Sequence, residues 1–158
     1  MIDSWDEHID AFLIACSKWE VKMMMIGGGA VNFHGYQRHS ADVDFWFEPS
    51  AENFTKLISA LNEIGFTIKE FPTQVLNQEQ NISIKFSPVT IQIELITNFS
   101  VNRPFSEAFA DACEVQIGSN KLYRYRVIGY DDLITSKIKS ARPKDLLDIQ
   151  ELERIKKE

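Results

Sequence analysis

Apolar residues recur along the chain with two periods, and each change of period marks a new element. Ile9, Phe12, Leu13 and Cys16 recur at helical spacing after Ser4 and Glu7, a pair with the S-x-x-E shape of a capping box. A helix is predicted over residues 4–18. Residues 22–26 form a short apolar run that stops at Gly27-Gly28-Gly29, as a buried strand does. Residues 30–35 read as a short helix closed by Gly35. Residues 43–47 are β-branched and aromatic and predict a strand. Pro49-Ser50 then opens a helix with Phe54, Leu57, Ile58, Leu61 and Ile64 on one face and Gly65 as its stop. Residues 66–70 read as a further strand, and residues 71–80 show no clear period.

The second half begins with alternation. Residues 82–86 and 91–95 both repeat with period two, and Ser87-Pro88-Val89-Thr90 between them signals a β-hairpin. Residues 104–113 look helical. Residues 115–117 and 122–127 flank Gly118-Ser119-Asn120, which predicts a second hairpin. Asp131 opens a helix carrying Leu133, Ile134, Lys137 and Ile138. Arg142-Pro143-Lys144 breaks it, and Pro143 suits the first position of a last helix. This order predicts an α/β or α+β fold around a mixed β-sheet flanked by helices. The chain has no internal repeat or interior linker, so residues 1–158 are expected to form one domain.

Composition narrows the function. The chain has 158 residues, of which 44% are apolar and 25% charged, which supports a packed core. The net charge of −6 argues against bulk attraction to nucleic acid or anionic lipid. A polyanion must then be met by a local patch or through metal ions. No run reaches membrane-spanning length, and the acidic N-terminus lacks a signal-peptide layout. The cysteines Cys16 and Cys113 read as buried thiols in a reducing compartment, so a cytoplasmic protein without membrane contact is expected.

Ser40-Ala41-Asp42-Val43-Asp44 is the chemically informative stretch. Asp42 and Asp44 leave the same face of a strand, while Val43 and Phe45 point into a core. Two adjacent carboxylates repel each other, and a divalent cation relieves the repulsion. Alone, the pair reads first as a solvated strand edge. Glu94, set between Ile93 and Leu95, needs a surface or a partner as well. If its strand lies beside the Asp42–Asp44 strand, three carboxylates converge, which suits two metals and in-line displacement. Glu94 can also take a nucleophile's proton. Gln92 shares its face and can orient the site. The glycine triplet before the acidic pair lets a ligand approach the backbone closely, although a tight turn is its usual explanation.

The run from Ile26 through Gly27-Gly28-Gly29 and His34-Gly35-Tyr36-Gln37-Arg38 to Asp42-Val43-Asp44 resembles the signature of the DNA polymerase beta-like nucleotidyltransferase superfamily. That signature is a glycine turn, a short helix, and two acids one residue apart on a strand, with a third acid on a later strand. The H-G-x-x-R-x-[ST]-x-D-x-D spelling is closest to the small bacterial branch of AbiEii-type toxins and minimal nucleotidyltransferases. The tail Asp131-Asp132-Leu133-Ile134, Lys137, Arg142-Pro143-Lys144-Asp145 and Asp148 resembles a second segment of that branch. The resemblance implies a nucleotidyltransferase fold. It matches Gly27 and Gly28 to the phosphate turn, and Asp42, Asp44 and Glu94 to the catalytic metal ligands. Two departures stand out: Gly28 replaces a frequent serine, and Glu94 replaces a frequent aspartate and sits one methylene further out.

Basic residues supply the remaining candidates. Arg38 can touch a phosphate or brace Asp42. Lys137 and Lys144, with Arg142, form a local cluster able to grip a triphosphate or a polyanionic acceptor, unless they are solvated helix charges. Asp145 and Asp148 are expected to balance them. His34 reads as structural, and His39 lacks metal-ligand spacing. Trp46 can stack a base but packs more cheaply. Tyr123, Arg124, Tyr125 and Arg126 alternate as a nucleic-acid surface or a two-faced hairpin.

The expected function is Mg²⁺-dependent transfer of a nucleoside monophosphate from a nucleoside triphosphate, with Mn²⁺ as the alternative ion. The acceptor is a hydroxyl or phosphate of a tRNA or other RNA, a protein or a small molecule. Larger relatives add a domain for acceptor recognition. A short chain therefore points to a small acceptor, a partner protein or a cleft formed by a homodimer. Two rivals are a degenerate nucleotide-binding or toxin–antitoxin regulatory module and a metal-dependent phosphohydrolase.

Overall fold

A computed structural model describes residues 7–38, 42–86, 92–118 and 123–158. The elements are α1 Glu7–Lys18, β1 Met23–Ile26, α2 Gly27–Phe33, β2 Asp42–Phe47, α3 Ala51–Glu63, α4 Thr73–Leu76 and β3 Ile82–Ile84. They continue with β4 Gln92–Ile96, α5 Phe105–Ala110, β5 Cys113–Ile117, β6 Tyr123–Val127, α6 Tyr130–Ser140 and α7 Pro143–Lys156. The capping residue Ser4, His39, the Ser40-Ala41 pair and the turns after Phe86 and Gly118 lie outside the described residues.

The strands form a six-stranded mixed sheet in the order β3-β4-β2-β1-β6-β5. β2 runs antiparallel to β1 and parallel to β4, and β1 runs parallel to β6. The β3–β4 and β5–β6 pairs are antiparallel, as both hairpin signals predict. Alternation gives the sheet two unlike faces. One face buries Val43, Phe45 and Phe47 with Ile93 and Leu95. Helices α1 and α3 cover it: Phe12 of α1 packs against Phe45, and Phe54 of α3 against Phe47. The other face carries Asp42, Asp44 and Trp46, with Phe99 and Phe105 packed on the indole. The architecture is the mixed α/β sheet flanked by helices that the order of elements predicts.

Helix ends follow local chemistry. The Ser50 hydroxyl accepts from the Asn53 amide at the start of α3. Pro143 occupies the first turn of α7, where a missing N–H is harmless. Three local readings need correction. Residues 66–70 form no strand, because the Asn62 side chain takes both backbone groups of Ile68, accepting at 2.9 Å and donating at 3.1 Å. Thr73–Leu76, within the stretch without a period, forms a single helical turn. Cys113 belongs to β5 and not to the preceding helix, which ends at Ala110. Among the described residues, no helix is long and apolar enough to cross a membrane.

Candidate active site

The candidate site begins with strand register. β2 and β4 place Asp44 beside Glu94 and Asp42 beside Gln92. The condition set by the sequence, that the two acidic strands be neighbours, is met. Asp42 is exposed, Asp44 and Glu94 are half-buried, and Val43 points into the core. Burial pushes the Asp44 carboxyl above its ordinary range, and the negative charges of Asp42 and Glu94 push it further. Lys144 and Lys137 offset part of that rise.

The glycine turn closes over Asp44. Gly27 has φ +63°, the left-handed region that side chains resist, and it begins α2 directly. A Cβ there would sit 2.7 Å from Asp44 Oδ2. The absence of a side chain therefore brings the bare backbone against the carboxylate. Gly28 is buried beneath the turn. Gly29 has a packing reason, since a Cβ would meet Met25 Sδ at 2.6 Å. Replacing Gly27 with alanine is expected to cost about 1–2 kcal/mol from backbone strain alone. A melting curve should show a fall of roughly 2–8 °C. An unchanged midpoint would contradict the left-handed conformation of Gly27.

The corner between α6 and α7 forms the opposite wall. A cleft of about 330 Å³ runs between Gly27 and Asp44 on one side and Ser136, Lys137, Ser140, Arg142 and Asp145 on the other. Lys137 is almost wholly buried, and its ammonium meets Asp148 Oδ2 at 2.9 Å and Asp145 Oδ1 at 3.2 Å. Arg142 closes a two-pronged contact on Asp145, at 2.7 and 3.2 Å. Burial pushes the Asp145 carboxyl up, but hydrogen bonds from Arg142 and Lys137 outweigh it and hold the group below its ordinary value. Arg38 reaches across from the segment after α2 and grips Asp148 with Nε at 2.8 Å and Nη2 at 3.0 Å. The balancing role expected of Asp145 and Asp148 is present, and it extends to Arg38. Lys144 stays exposed at the start of α7.

Other candidates fall elsewhere. Trp46 is buried under Phe99 and Phe105, where a base cannot stack on it. His34 is structural: its Nε2 lies 2.7 Å from the Ile128 carbonyl, and burial lowers the imidazole below its ordinary pKa. Tyr123 and Tyr125 are buried, and the Tyr123 hydroxyl donates to Asp10, so the two-faced hairpin explains them. Cys16 is buried, whereas Cys113 is only half-buried. Ser136 and Ser140 line the cleft without belonging to any motif in the sequence. Their spacing of four, on one helix face beside Lys137, is the signal that points to them. A second cavity, about 320 Å³, lies at the other end of β1 near Lys22 and Arg124, away from the β2 carboxylates.

Residues 5–157 match the model of a family described as nucleotidyltransferase of unknown function (DUF6036). The chain belongs to this nucleotidyltransferase family. No curated protein matches it.

The donor set suits a hard cation. Asp42, Asp44 and Glu94 offer only carboxylate oxygens, and the strand register sets Asp44 beside Glu94. Among the described residues, no group of three or more His, Cys, Asp or Glu side chains forms a ready metal cage. Mg²⁺ does not require a closed cage, because it completes its shell with water and phosphate oxygens.

Proposed function

We propose that this nucleotidyltransferase moves a nucleoside monophosphate from a nucleoside triphosphate to a hydroxyl or phosphate acceptor, with Mg²⁺ or Mn²⁺. The observation that carries the reading is the close approach of the Gly27 backbone to Asp44, beside Glu94 and opposite Lys137 and Arg142. Asp42 and Asp44 would hold the cation, with Glu94 as the third ligand. Bound there, it supplies charge neutralisation and makes the attacking oxygen more acidic. The Gly27-Gly28 turn offers backbone amides to the phosphate tail. Lys144 and Arg142 supply positive charge at the cleft mouth, and Lys137 supplies it from beneath. In the transfer, a bond forms from the acceptor oxygen to the α-phosphorus and the bond to pyrophosphate breaks. The acceptor's proton passes to Glu94. Positioning and charge neutralisation account for most of the rate.

The experiment is product analysis. The protein is incubated with each nucleoside triphosphate, Mg²⁺, and RNA, protein and small-molecule acceptors. Pyrophosphate is the expected product, and chelation should stop its release. Release of orthophosphate instead would overturn transfer in favour of a phosphohydrolase.

One observation favours a second reading, nucleotide binding without transfer. The Lys137 ammonium is already committed to Asp145 and Asp148. Metal-dependent nucleotide binding with no turnover, as in a sensor or a toxin–antitoxin regulator, would support it. The H-G-x-x-R spelling around Arg38 and the Lys137–Asp148 tail support the AbiEii-type or minimal branch. Two free cysteines suit a cytoplasmic, reducing compartment.

A further inference from the structure

We propose that Ser83 and Gln92 are positioning residues that hold the Glu94 carboxylate in place and present one chosen oxygen to the cation. The inference rests on the reading of Glu94 as a metal ligand and adds what aims it. Ser83, Glu94 and Asp44 lie in line across three strands, because β3 pairs Ser83 with Glu94 and β4 pairs Glu94 with Asp44. The Ser83 hydroxyl donates to Glu94 Oε2 at 2.6 Å. Gln92, two residues earlier on the same strand face, donates its Nε2 to the same oxygen at 2.9 Å. Both donors thus fall on Oε2. Among the described residues, no hydrogen-bond partner takes Oε1.

Repulsion gives this arrangement a purpose. Glu94 faces the like charges of Asp44 and Asp42, and a glutamate has one more torsion than an aspartate through which to swing away. Two donors on a charged oxygen are strong enough to oppose that swing. They occupy Oε2 and leave Oε1 as the available ligand. Partners of metal-binding carboxylates characteristically act in this way, and their loss weakens metal binding about 10–100-fold. A purely structural cross-strand contact would instead affect only the sheet edge.

The test is Mn²⁺ titration of the full chain, followed by electron paramagnetic resonance, with a non-hydrolysable nucleoside triphosphate analogue present. Ser83 is exposed, so its replacement leaves the core intact. Ser83→Ala and Gln92→Ala are each expected to weaken Mn²⁺ binding about 10-fold, and Glu94→Gln at least as much. Ser83→Thr, which keeps the hydroxyl, should bind within about twofold of the parent. Melting midpoints should stay close to the parent's. Wild-type Mn²⁺ affinity in Ser83→Ala and Gln92→Ala, with Glu94→Gln weakened, would overturn the positioning role and leave Glu94 a ligand. Wild-type affinity in Glu94→Gln would overturn both.

Discussion

Replacing Asp44 with asparagine is expected to lower nucleotidyl transfer about 10²–10³-fold while raising the melting temperature. The two effects have one cause. The Asp44 carboxylate is half-buried and faces Asp42 and Glu94, so its charge is strained in the free protein. Asparagine keeps the shape but removes the charge that would attract the cation. It also removes the repulsion. Solvent screens a half-exposed charge, so the relief is worth about 1 kcal/mol or less, a rise of roughly 2–4 °C at most in a chain of this size. The pH dependence has a definite sign. The folded carboxyl titrates above its unfolded value, so the folded state binds more protons in that window. Stability therefore falls as pH rises from the ordinary carboxylate pKa through the raised one. Asp44→Asn should lack that slope. Melting curves across the acidic range, beside initial rates, check both halves. A variant that loses stability along with activity would show Asp44 to be structural.

The largest stability effect is expected at Lys137. Its ammonium is buried with two carboxylates that have almost no exposure of their own. Removing the cation by Lys137→Met leaves part of that negative charge uncompensated, although Arg142 and Arg38 still hold Asp145 and Asp148. Breaking a buried pair in this way costs about 3–5 kcal/mol. The melting temperature should fall by roughly 10 °C. Removing charge on both sides, as in Lys137→Met with Asp148→Asn, should be milder than the sum of the single changes, because the two groups share one network. Denaturant unfolding of the four proteins measures that coupling. Additive losses would show that the network is a set of independent contacts.

What can be read from the chain divides by range. The alternation Asp42-Val43-Asp44-Phe45 is local, so the face of each residue is legible in the sequence itself. The same holds for Ser50 as a helix cap and Pro143 as a helix opener. The neighbourhood of Asp44 and Glu94 is legible only as a condition, because no local pattern says which strands lie side by side. Ser83 escapes a sequence reading for that reason: its link to Glu94 needs the β3–β4 register. Arg38 reads as a phosphate contact or a brace for Asp42, and its grip on Asp148 depends on how α7 crosses the segment after α2. The stretch at residues 66–70 misleads because a nearby side chain, that of Asn62 at the end of α3, captures the backbone that a strand would pair. Trp46 and the Tyr123–Tyr125 pair show why packing is the cheaper explanation: each ring is buried.

The central claim is that the glycine turn and the β2 acids carry transfer from the α-phosphorus. Label transfer tests it most directly. The protein is given Mg²⁺ and nucleoside triphosphates labelled at either the α- or the γ-phosphate, with a mixture of RNA, protein and small-molecule acceptors. The predicted result is acceptor labelling from the α-position alone, lost in the Asp42→Ala/Asp44→Ala protein. Equal labelling by that variant, or label arriving from the γ-position, would contradict the account.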